Sequence, residues 1–275
     1  MPRQLPSMVA AEIRKVFTRG SALATLAVAL IVGLGAVAVL WQVERMASGG
    51  PSLNGTPVSA LVSASGIDAA GGALLARNFF VLPLFLLLAG ASAVGGELGD
   101  RTLRELVVRP VPRWSILVAK LVALSTLSAV SLVLTLVPSL ALGTALFGLS
   151  APDAAVDAPT VTALLGGYGA SFLSDLGLLA IVAAVSLVVP SVGGTVVAVA
   201  LVLLVDLGLR ALLSVLGMMG VTEAASLQPW TLGNALACWK GWQDGWDLAQ
   251  FGALGVFVVG SIAFAVARFH RMDVP

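Results

Sequence analysis

The sequence predicts an all-α polytopic membrane protein with six transmembrane helices and both termini on the cytoplasmic side. Three observations predict it. Of 275 residues, 59% are apolar and 11% charged, with a mean hydropathy of +1.03, whereas a soluble domain carries about a quarter charged residues. The apolar residues gather in blocks of about 20 or more, the length a helix needs to cross roughly 30 Å of hydrocarbon. The basic residues collect in alternate connections between these blocks. A closed barrel is excluded, because its strands would alternate polar and apolar positions over about ten residues. The net charge of +1, from 15 Lys and Arg against 14 Asp and Glu, carries no basic excess that would argue for nucleic acid.

The first element is an interfacial helix over residues 8–19. Val9, Ile13, Val16 and Phe17 share one face, with Glu12, Arg14, Lys15 and Arg19 mostly on the other. The expected spans are 20–41, 78–96, 115–147, 161–190, 192–218 and 249–267, within a single transmembrane domain covering 1–275. The third is too long for one straight crossing, and Pro138 is the expected place of a kink or an end. Ala36-Val37-Ala38 matches a signal-peptide cleavage pattern, but the first apolar stretch exceeds a usual signal core, and nineteen residues, eight of them polar or charged, precede it.

Orientation follows from Lys and Arg, which are retained on the cytoplasmic side. Eleven of the 15 basic residues lie in the first nineteen residues, between the second and third spans or, for Lys120, just inside the third, or after the sixth. The opposite connections hold seven acidic residues, with Arg45, Arg77 and Lys240 against them. Trp239, Trp242 and Trp246, at spacings of three and four, predict a short helix with one aromatic face, lying in or dipping into the outer interface. Cys238, the single cysteine, cannot form an intrachain disulfide and reads as a packing residue.

The segment 97–114 is the most informative. Glu97, Asp100, Arg101, Arg104 and Glu105 fall within nine residues, interleaved with Leu98, Leu103 and Leu106; Pro110 and Pro112 then stop any helix before Arg113 and Trp114. A short amphipathic helix held between two membrane helices is suited to dock into a partner's groove and transmit force. Within the spans, Asp175 sits mid-way along the fourth, and Asp206 and Arg210 lie four apart on one face of the fifth. Counted from the cytoplasmic ends, both aspartates are roughly 21 to 22 Å deep and can lie at one level. Such groups cost at least about 2.5 to 3.5 kcal/mol each and should pair or face a cavity. Arg210 with one aspartate is the expected pair, either fixing helix register or lining a substrate path.

These residues resemble the ABC-2 type permease family, the membrane subunits of ABC transporters whose ATPase is a separate chain. The matching positions are Glu12-Ile13-Arg14-Lys15 in the N-terminal helix, then Glu97, Thr102-Leu103, Leu106, Pro110-Val111-Pro112-Arg113 and Lys120. Arg101 stands where the family usually has glycine. The resemblance covers the six-span layout, with its specific residues confined to about thirty positions. It implies that Glu97, Asp100, Arg101, Thr102, Leu103, Arg104, Glu105, Pro110 and Arg113 form a coupling helix seated on a cytoplasmic ABC ATPase, present in two copies. It also implies a second permease chain, identical or related, and an outward-moved substrate in a prokaryotic inner membrane. ATP and Mg would be bound by the partner and no cofactor by this chain, since none of the three lysines follows the Gly-x4-Gly of a phosphate-binding loop.

Enzyme classes fare worse. The one histidine, His270, lies in the tail rather than in a span, where a serine protease would need its base. His-Glu-x-x-His and Cys pairs are absent from the sequence, so no metal ligand set is expected. An ion-coupled carrier using Asp175 and Asp206 is the remaining alternative, but it would not need a docking loop.

Overall fold

The structure, a computed structural model, describes residues 4–48, 64–100, 112–149 and 158–271. All regular secondary structure among the described residues is helical, and six helices are long and apolar enough to cross a membrane. They make the chain a multi-pass membrane protein.

Helix α1 (Gln4–Phe17) precedes α2 (Gly20–Ser48). The next helical run starts well before the expected 78. Helix α3 (Gly66–Ala76), α4 (Leu82–Ala91) and α5 (Glu97–Gly99) follow one another through two π-helical turns, Arg77–Val81 and Ser92–Gly96. Ser65 caps the run, its Oγ accepting the N–H of Asp68 at 3.1 Å, which satisfies one of the free donors of the first turn. The glycines of Gly66-Ile67-Asp68-Ala69-Ala70-Gly71-Gly72 lower the hydropathy and hide the helix, but two of them are packing sites. A Cβ at Gly71 would lie 2.6 Å from the Trp242 ring, and one at Gly66 would lie 2.9 Å from the backbone nitrogen of Thr144.

Helix α6 (Arg113–Phe147) runs unbroken through Pro138, so of the two expected alternatives, a kink or an end, the end is ruled out. Proline deprives the Leu134 carbonyl of its i+4 donor. That carbonyl and Thr135 O lie over Gly33 of α2, where a Cβ would meet them at 3.2 and 2.8 Å. Around the gap, Thr135 Oγ1 donates to Ser131 O at 2.9 Å, and Ser139 Oγ donates to Thr135 O at 2.7 Å. Neither hydroxyl is directed at the Leu134 carbonyl; the helix passes the proline where its backbone packs closely over Gly33.

Helices α7 (Ala158–Ser186) and α8 (Val192–Met218) meet at a turn where Ser191 Oγ accepts the N–H of Gly194. The hub is α7: 72% of its most apolar window is buried, against 17% for α8 and 17% for the last helix, α12 (Leu248–Arg271). Apolar clusters occupy both ends of the bundle. One joins Leu74, Leu132, Tyr168, Trp239 and Leu254; another joins Val94, Ile116, Leu187 and Phe269, with Met8 against it, so α1 and the end of α12 share one end of the bundle.

The connection between α8 and α12 turns back into the bundle. It consists of α9 (Thr222–Leu227), a 3-10 turn Gln228–Trp230, α10 (Leu232–Ala235), a 3-10 turn Cys238–Lys240 and α11 (Gly241–Asp244). Cys238 Sγ lies 3.3 Å from Ser174 Oγ, and Leu232 N–H reaches Asp206, both mid-way along their long helices. The expected single aromatic helix does not form. Helix α11 stops at Gly245, whose φ of 93° leaves the right-handed region. Trp239 is consequently buried in the core, Trp242 fills the space at Gly71 and Gly167, and Trp246 lies exposed over Gly166 and Gly241.

Candidate functional site

Among the described residues, the buried charged side chains fall into two ion clusters and one capping pair. The first lies at the end shared by α1 and the tip of α12. Its centre is Glu97, which directly follows the second π turn. Glu97 Oε1 pairs with Lys15 Nζ at 2.6 Å and with the Arg19 guanidinium, while Oε2 accepts from Lys120 Nζ at 2.5 Å. Lys120 also binds Glu12 Oε2 at 3.1 Å. Lys120 and Glu97 are 2% and 4% exposed, so the Glu97–Lys120 centre is desolvated, while Lys15 reaches it from the surface; removing Lys120 or Glu97 leaves a buried charge uncompensated.

Helical spacing in α1 builds this arrangement. Glu12 and Val16 are four apart and point inward together, both buried, whereas Arg14 and Lys15 are exposed. The expectation that Glu12 lies with the charged outer face is thus corrected: it sits on the packed face, beside Ile13 and Phe17, and its carboxylate is compensated by Lys120. Asp100, exposed, ends the helix with its N–H on Gly96 O at 2.8 Å. Arg101, Thr102, Leu103, Arg104, Glu105 and Pro110 lie outside the described residues, as does the side chain of Arg113.

The second cluster crosses the middle of the bundle. Arg77, with no exposed surface, donates from Nη2 to Asp175 Oδ2 at 2.6 Å and to Ser131 Oγ at 3.1 Å. Its Nη1 donates to Ser171 Oγ and to Asn78 Oδ1, both at 2.8 Å. Ser128 Oγ adds a 2.5 Å bond to Asp175 Oδ2. Three helical runs, 66–99, α6 and α7, are tied by this one pair.

The capping pair joins α8 to the inward-turning connection. Arg210 Nε donates to Asp206 Oδ2 at 2.8 Å, and the two carboxylate oxygens accept the backbone N–H groups of Leu232 and Gly233 at 2.8 and 2.9 Å. Non-helical backbone at this depth must find internal partners, and Asp206 supplies them. Gly233 is required by the approach: a Cβ there would lie 2.6 Å from Asp206 Oδ2. Asp175, Asp206 and Arg210 therefore do not form one network. Arg210 takes the aspartate of its own helix, and Asp175 takes Arg77.

Sequence reasoning placed Arg77 in a polar connection and missed its role. The available signal was a lone arginine inside a long apolar run, between Leu74-Leu75-Ala76 and Phe79-Phe80-Val81. Ser128 and Ser131 carried no such mark. Burial pushes the Cys238 thiol up from its usual range, consistent with a packing role. Among the described residues no group of three or more His, Cys, Asp or Glu is placed to hold a metal ion.

Comparison with curated proteins finds no match. A family model described as a protein of unknown function, DUF2705, matches residues 28–274, from the first third of α2 to the end of the chain. With nine-tenths of its length so matched, the chain belongs to the DUF2705 family.

Proposed function

We propose that the chain is the membrane-spanning permease subunit of an ABC-2 type transporter, which moves a substrate outward across the inner membrane of a prokaryote. ATP and Mg are held by a cytoplasmic ATPase partner, present in two copies, and this chain does no hydrolysis itself. The observation that carries the reading is the Glu97 cluster. Lys15, Arg19, Glu97 and Lys120 join α1, the end of the second membrane run and the start of the third, around both ends of the segment 97–114 that resembles a coupling helix. A push delivered to that segment meets a junction braced by ion pairs around the buried Glu97 and Lys120.

Two further features support the reading. Asp175 and Asp206 are both engaged by arginines of the same chain, which leaves neither as a free coupling carboxylate for an ion-driven carrier. The Arg210 side chain is 30% exposed on a helix whose apolar window is mostly unburied. A cation facing lipid tails at mid-depth is costly, so this face suits a second permease chain, identical or related.

The test begins with the reading frame beside this gene, which the proposal requires to encode a Walker A ATPase, and continues with co-expression of the full chain and that ATPase, followed by affinity purification. Recovery of both chains is expected, and Arg104→Glu should lower association or stimulated ATP hydrolysis several-fold while membrane insertion stays intact. Association and ATPase stimulation unaffected by Arg104→Glu would sink the docking assignment, and failure of the two wild-type chains to associate would sink the permease reading itself.

A further inference from the structure

The run from Gly66 to Gly99 contains two π turns, and each adjoins a charge. Arg77 opens the first and Glu97 follows the second. In the first, the N–H of Leu82 reaches back five residues to the carbonyl of Arg77. Twenty residues separate Arg77 from Glu97, which at about 3.6 residues per turn is about 5.6 turns and would set the two on nearly opposite faces. A π turn holds one residue more than an α turn, so two of them leave about 18 residues of α rotation, about 5.0 turns, and bring both charges to one face. Their partners on α6 agree. Arg77 reaches Ser131 and Glu97 reaches Lys120, and eleven residues are about three turns.

We infer that the run 66–99 is a register switch, in which the two π turns hold the mid-bundle ion pair and the Glu97 cluster in phase so that releasing one releases the other. If the first π turn reverts to α geometry, everything beyond it rotates by about 100° and advances by about 1.5 Å. Glu97 then leaves Lys120. Each cluster therefore depends on the other through helix phase, with no side chain passing between them. π turns inside α-helices recur at functional sites, and here both coincide with a charged contact to α6.

Ser21 and Ser92 report the phase, because their Oγ atoms lie 3.2 Å apart between α2 and the second π turn. Cys238 is the single cysteine, so Cys238→Ala with Ser21→Cys and Ser92→Cys gives a lone pair for mild oxidation in membranes. A separate variant, Ser174→Cys with native Cys238, pairs atoms 3.3 Å apart that lie outside the switching run and reports whether the bundle is intact. With Arg77→Gln, the 21–92 crosslink should fall several-fold while the 174–238 crosslink persists. Persistence of both would overturn the switch. If Arg77→Gln abolishes both, the milder Ser131→Ala decides: selective loss of the 21–92 crosslink supports the switch, and equal retention or equal loss overturns it.

Discussion

Among the described residues the bundle contains two Asp–Arg pairs at mid-helix, and they differ in what they hold. Arg77 and Asp175 are 98 residues apart in sequence and sealed, with side chains 0% and 4% exposed. Asp206 and Arg210 are one helical turn apart, and Arg210 keeps 30% of its side-chain surface. The first pair ties three helical runs. The second cannot, since both members ride on α8; its tertiary work falls to Asp206 alone, which holds the backbone of Leu232 and Gly233. The same two residue types therefore act as a cross-brace in one place and as a cap with an attendant cation in the other.

The sharpest way to break this comparison is to remove one charge from each pair. Asp175→Leu leaves Arg77 buried without its counter-ion, and breaking a buried pair costs about 3–5 kcal/mol. Thermal unfolding of the purified chain in detergent should show that loss, and the double variant Arg77→Leu with Asp175→Leu should recover most of it, because an apolar pair removes both desolvation costs. A double variant no more stable than Asp175→Leu would show that the serine bonds, not the charge pair, carry the brace.

Asp206→Asn is expected to cost less, about 1–3 kcal/mol, as the amide keeps one carbonyl acceptor for two N–H groups. Arg210→Gln should cost less again, being a partly exposed i,i+4 partner. Added to Asp206→Asn, it should restore part of the expression that the single change loses, by removing the unpaired cation. If the double variant expresses no better than the worse single one, Arg210 does not serve Asp206.

The long helices were legible because twenty apolar residues in a row permit little else in a bilayer. So were three of the five members of the Glu97 cluster: Glu12, Lys15 and Glu97 each stood out by local charge pattern. Their convergence was not legible, since it depends on how α1 lies across the start of α6 and on two π turns that no periodicity reveals. Arg77 was misread for a related reason. A glycine-rich helix start at 66–72 looks like a connection, and it moved the apparent edge of the span past the arginine.

The smallest expected effect concerns Cys238, in the segment that Asp206 helps to hold. Its Sγ lies against Ser174 and the Ala170 carbonyl, and burial raises the thiol pKa above its ordinary value. The thiolate is the reactive form, so at neutral pH both access and ionisation oppose alkylation. Raising the pH increases the thiolate fraction, but at any given pH the raised native value keeps it below that of an unfolded thiol. Maleimide labelling of the native chain should therefore stay slow at a pH where an unfolded thiol reacts, and should become fast in denaturing detergent. Asp206→Asn loosens the backbone at Leu232 and Gly233, a few residues before the cysteine. It should raise the native labelling rate several-fold, whereas Asp175→Asn, on the far side of Ser174, should raise it less. Equal acceleration by the two variants would mean that the inward-turning connection opens with the whole bundle and is not held separately by Asp206.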